Sequence, residues 1–114
     1  MLHNFGPMSD ELSWLQQWYS AQCDGDWEHG FGVTIETLDN PGWSVKIDVE
    51  GTELAFTPFE PVKTADSDID WVYYRVTERK EGTLARSRSF EGSGGAFNLG
   101  DIIKIFRTWA EAKR

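Results

Sequence analysis

Trp43-Ser44-Val45-Lys46-Ile47-Asp48-Val49-Glu50 alternates strictly between apolar and polar side chains. Successive side chains of a strand point to opposite faces, so the pattern reads as a β-strand with one face buried and one in water. Upstream, Val33, Ile35 and Thr37 alternate with Thr34 and Glu36 as another half-buried strand, and Leu38-Asp39-Asn40-Pro41-Gly42 supplies the turn between the two. Downstream, Glu50-Gly51-Thr52 turns the chain into a short third strand through Leu54 and Phe56. A proline- and acid-rich connection from Thr57 to Asp70 follows, where Pro58 and Pro61 argue against a central strand. Trp71 to Lys80 and Thr83 to Phe90 then form a hairpin about Glu81-Gly82, read with a two-residue loop. That register sets Val72, Tyr74 and Val76 beside Ala85, Ser87 and Ser89 on one face. Trp71, Tyr73, Arg75 and Thr77 lie beside Arg86, Arg88 and Phe90 on the other.

Helical periodicity flanks these strands. Ser9 or Asp10 caps a helix whose apolar stripe is Leu12, Leu15, Trp18, Tyr19 and Cys23, with Trp14 half exposed at its edge. Glu91-Gly92-Ser93-Gly94-Gly95 reads as a flexible link, and Asn98 caps a final helix with Leu99, Ile102, Ile103, Phe106, Trp109 and Ala110 on a wide apolar face. The order helix, five strands, helix predicts an α+β fold: a five-stranded antiparallel sheet with the N- and C-terminal helices packed on one face.

At 114 residues the chain is expected to form one domain over residues 9–114 that buries roughly two thirds of its unfolded surface. Residues 1–8 read as a leader or tag remnant, since Gly6-Pro7 before Met8 resembles a protease-tag scar. Six Trp, seven Phe and three Tyr make it rich in aromatic side chains, most of them expected in the core. A net charge of −8 disfavours nucleic acid and anionic membranes and favours a basic partner. Cys23 is the only cysteine, so there is no internal disulfide, which suits a reducing cytosol. No apolar run approaches membrane-spanning length and Met1 to Met8 is unlike a signal peptide, so the expected location is cytoplasmic.

The segment Gln22 to Gly32 concentrates polar chemistry in one loop. Asp24, Asp26 and Glu28 alternate as calcium ligands do, but His29 and Ile35 stand where an EF-hand needs its Gly and Glu; Asp66 to Asp70 fails the same test with Trp71 and Thr77. Neither metal nor cofactor is expected. Cys23 with His29 suggests a thiol and its base, yet Asp24 and Asp26 oppose thiolate formation. Asp26, Glu28 and His29 as a general acid/base set would make a small hydrolase-like enzyme. Tyr73, Arg75, Arg86, Arg88 and Phe90 on one sheet face would make a nucleic-acid platform, or else a salt-bridged outer face with the arginines paired to Asp48, Glu50 or Glu53.

Trp14-Leu15-Gln16-Gln17-Trp18-Tyr19, then Gln22-Cys23-Asp24-Gly25-Asp26-Trp27-Glu28-His29, then Ile35 to Trp43 resemble, in order and spacing, the immunity protein 53 family of bacterial polymorphic-toxin systems. The resemblance covers the first half closely and the second half as a generic continuation ending in a helix. It implies a small non-catalytic α+β protein, encoded beside a toxin gene, that binds and neutralises a cognate toxin in the cytoplasm. It carries no contact residues across. From the residues themselves, the expected partner-binding set is Asp24, Asp26, Trp27, Glu28 and His29, the acids matching a basic toxin and Trp27 serving as anchor. The competing reading has Trp27 and Phe31 stapling the first helix to the sheet, with Asp24 or Asp26 accepting backbone N–H bonds in the turn.

Overall fold

A computed structural model describes residues 10–81 and 85–112, without the side chains of 80, 81, 85 and 86. The elements are α1 (Asp10–Gln22), α2 (Trp27–Gly30), β1 (Val33–Leu38), β2 (Gly42–Asp48), β3 (Val62–Ala65), β4 (Trp71–Glu81), β5 (Ala85–Gly95) and α3 (Leu99–Ala112). The strands form one antiparallel sheet in the order β1-β2-β5-β4-β3, with α1 and α3 on one face, as the α+β pattern predicts. The leader, Ser9, Gly82 and the Arg86 side chain lie outside the described residues.

The alternation of β2 does what it predicts. Val45 and Ile47 point at the helices and are fully buried, followed by Val49 beyond the strand's end, while Ser44, Lys46 and Asp48 face outward. Phe90, Ile102, Ile103, Phe106 and Leu15 complete the core. Full burial of side chains this size stabilises the fold by roughly 1.5–3 kcal/mol each relative to exposure.

Four expectations are corrected. Glu91 to Gly95 is not a link but the second half of β5, paired with both β2 and β4. Gly92 and Gly94 are there because α3 comes down on them: a Cβ at Gly92 would sit 2.5 Å from Ile102 Cγ2, and one at Gly94 3.2 Å from Ile102 Cδ1 and 2.9 Å from Asn98 Cβ. Composition alone cannot separate such a trench from a linker.

Second, Glu81 pairs with Ala85, which leaves three residues at the hairpin tip rather than two. The register thereby shifts by three residues, Val76 facing Phe90 instead of Ser87, and any odd shift sends every side chain of a strand to the opposite face. Phe90 therefore lies opposite Val76 on the helix side, fully buried, and Arg88 opposite Glu78 on the same side. Tyr73 and Arg75 face outward beside Ser93 and Glu91.

Third, Leu54 and Phe56 form no strand. Thr52 Oγ1 donates to the Val49 carbonyl (2.7 Å) and accepts from the Leu54 N–H (3.0 Å), a local pairing that competes with a ladder and closes successive turns. Leu54 drops into the core while Phe56 is exposed. The third strand is instead Val62–Ala65, an edge strand, where the preceding Pro61 is tolerated.

Fourth, the inward face of α1 is Trp14, Leu15 and Trp18. Both indoles meet Phe106 of α3 edge-on, with centroids at 5.8 and 5.0 Å, whereas Leu12 and Tyr19 remain exposed. The helix leans on α3 rather than lying flat on the sheet. Cys23 falls just beyond its end, half-buried, with Sγ donating to the Tyr19 carbonyl.

Asn98 does precede α3, and its carbonyl accepts the Ile102 N–H at 3.0 Å. Its buried side chain works elsewhere. Oδ1 accepts from the N–H groups of Gly95 and Trp71, and Nδ2 donates to Asp70 and Asp101, which ties the ends of β4 and β5 to the start of the helix.

The trench makes a sharp contrast between two glycines. Gly92→Ala should destabilise the protein by about 1–3 kcal/mol through overpacking against Ile102. Gly100→Ala meets nothing within 4 Å and should stabilise α3 by up to about 1 kcal/mol. Urea denaturation of both variants checks the pair.

Candidate functional site

The loop from Cys23 to Gly32 is built by its own polar groups. Gly25 adopts φ +94°, a left-handed conformation that a side chain would strain, and it reverses the chain after α1. Asp24 Oδ1 accepts the N–H groups of Asp26 (2.9 Å) and Trp27 (3.0 Å). Glu28 reaches back, its two oxygens accepting from the N–H groups of Asp24 (3.0 Å) and Gly25 (2.8 Å). This reciprocal arrangement satisfies the backbone donors of the turn that leads into α2.

The same bonds hold both carboxyls below their usual range. Asp24 is lowered chiefly by the Trp27 N–H and then that of Asp26; Glu28 by its own N–H, then by those of Asp24 and Gly25, with His29 adding to the effect. Hydrogen bonds to the charged form favour it, which is why both are lowered.

Trp27 is buried, 7% exposed, against Trp18, Tyr19 and Phe31, with ring centroids 6.1–6.2 Å away. Its Nε1 donates to the Glu50 carbonyl at 2.9 Å, and Gly51, at φ +78°, lies close against the indole. The ring thus fastens α1 and the loop to the turn after β2. On the loop's far side, Asp48 accepts from the Gly32 N–H and from Ser89 Oγ, fixing the entry into β1.

The five singled-out residues are brought together but divide into two groups. Trp27, Asp24 and Glu28 build the loop, and Asp26 and His29 are exposed on it. All but Glu28 line a shallow depression with Gly30, Phe31 and Gly51. The part played by Asp48, Glu50 and Gly51 was not visible in the sequence, since only the fold brings them against the loop.

The other constellations fare differently. Arg88 and Phe90 do not share a face with Tyr73 and Arg75, so the nucleic-acid platform is not assembled. Arg75 pairs with Glu91 at 3.1 Å and stacks on Tyr73, while Arg88 donates to the Leu54 carbonyl and lies 3.2 Å from Glu78. Among the described side chains, Arg75 is thus paired with Glu91 and Arg88 with Glu78. In the acidic segment, Ser67 Oγ accepts from the N–H groups of Ile69 and Asp70, and Asp70 is bonded to Asn98. Among the described residues no group of three His, Cys, Asp or Glu could hold a metal ion, and no helix is long and apolar enough to cross a membrane.

A family model described as Immunity protein 53 matches residues 12–111, from α1 to the end of α3. The likeness carried by Trp14 to Trp43 therefore continues through the second half of the chain. No curated protein and no solved structure matches it.

Trp27→Ala should cost about 3–5 kcal/mol, the usual loss for a buried aromatic. Asp26→Ala should stay within about 0.5 kcal/mol, as an exposed side chain without structural bonds does. Denaturant titration separates them. For Asp24 and Glu28 the folded pKa lies below the unfolded one, so their contribution is full above the unfolded value and is lost as pH falls through the folded values. Asp24→Ala should thus destabilise clearly at pH 7 and progressively less toward about pH 2, read from melting curves of both proteins across that range.

Proposed function

The chain belongs to the immunity protein 53 family, and from that membership we propose that it is a stoichiometric inhibitor, which binds a cognate bacterial toxin in the producing cell's cytoplasm and neutralises it without catalysis. The match along nearly the whole fold is the observation that carries this reading. The charge is in keeping with it. A protein of net charge −8 speeds capture of a basic toxin by electrostatic steering, and acids set against such a partner suppress wrong pairings.

Within the loop, the proposed contact set Asp24, Asp26, Trp27, Glu28 and His29 acts as a unit with divided labour. Asp26 and His29 meet the partner with the exposed Asp24 beside them, the half-buried Glu28 adds fixed negative charge, and Trp27 holds the presenting surface rigid instead of inserting as an anchor. A preorganised loop binds with less ordering cost than a mobile one.

Co-expression with the toxin domain encoded beside it should restore growth, and the two proteins should copurify in a fixed ratio. Asp26→Lys should leave the melting temperature unchanged while slowing association by about tenfold at low salt. Growth arrest despite co-expression of a folded chain would contradict the inhibitor reading.

A further inference from the structure

The sheet has two edges, and they are treated differently. β3 is four residues long, follows Pro61 and carries Lys63, features that blunt an edge against further pairing. β1 is six residues long and pairs with β2 in unbroken register, without Pro, Lys or Arg.

Which way its backbone points follows from one bond. The Asp48 N–H donates to the Gly32 carbonyl at 3.0 Å, which makes Gly32 and Asp48 a bonded pair. Bonded positions alternate in an antiparallel ladder, so Thr34, Glu36 and Leu38 face β2. Val33, Ile35 and Thr37 turn their N–H and C=O groups outward. Beside this edge Tyr19 and Ile35 are 39% and 37% exposed, and a groove lined by Leu15, Gln16, Tyr19, Gly32 and Val33 runs between α1 and the start of β1.

Charge selects the occupant. Seven of the nineteen acids and none of the eleven Lys and Arg residues precede Lys46, and the other twelve acids are nearly balanced by the eleven bases. Almost the whole net charge is therefore carried by α1, the loop and β1. A second copy would set a like-charged edge against this one, which is costly, whereas a basic segment is drawn to it.

We infer that β1 is the docking edge, where a basic, extended segment of the toxin adds as a sixth strand. Its backbone bonds Val33, Ile35 and Thr37, an apolar side chain enters the groove beside Tyr19, and its cations meet Glu36, Asp39 and the loop acids. Strand addition draws affinity from main-chain bonds and specificity from alternate side chains. The inference rests on the toxin-neutralising reading.

Amide hydrogen exchange on the wild-type chain, free and with the toxin domain encoded beside it, tests the edge. In the complex, the Val33, Ile35 and Thr37 amides should slow at least tenfold. Ile35→Pro, which removes an outward N–H and spares the β1–β2 ladder, should weaken binding at least tenfold with the fold kept. A neutralising complex in which these three amides exchange as in the free chain overturns the docking edge alone. Concentration-dependent protection without toxin assigns the edge to a second copy and also overturns it. No complex with the wild-type chain overturns both the edge and the reading beneath it.

Discussion

The absence of side chains at Gly92 and Gly94 is the constraint on which the architecture depends. It lets α3 settle directly on the centre of the sheet, so that Ile102 lies over β5 and Phe106 meets Phe90 at 5.2 Å. With α3 in that place, α1 finds its partner in α3 and turns Trp14 and Trp18 toward Phe106. The sheet is then covered unevenly. Ile35, on the helix-facing side of β1, remains 37% exposed because neither helix spreads far enough to hide it.

The loop after α1 is coupled to that arrangement through one indole. Trp27 touches Trp18 of α1 and donates to the Glu50 carbonyl beyond β2, so the loop is anchored at both ends by the core that α3 organises. Buried polar groups need partners, and here backbone donors and side-chain carboxylates supply them to one another within a few residues. The result is a rigid acidic surface next to the first residues of an open sheet edge.

Much of the fold was legible because its signals are local. The alternation in Trp43 to Glu50, the turn at Asn40-Pro41-Gly42 and the apolar face of the last helix each state their period plainly. What was illegible depends on contacts made at a distance. Gly92 to Gly95 looks like a linker until a helix is placed over it, and a hairpin tip of odd rather than even length, with the register shifted by three, reverses the face of Phe90 and Arg88. In the loop, residue types and spacing marked Asp24 to His29 as one polar segment, and the structure brings them together. Burial alone distinguishes Trp27, which holds the loop, from Asp26 and His29, which are open to a partner.

In the proposed role the chain works by being present, rigid and correctly charged, and concentration of the negative charge on its first half gives the encounter a direction. The most direct measurement of that claim is the association rate constant with the toxin domain encoded beside the chain, taken as ionic strength rises from about 20 mM to about 500 mM. The account predicts a tight complex whose association slows by at least about tenfold over that range while its dissociation rate changes little. A rate constant independent of salt, or no complex at any salt, would contradict it.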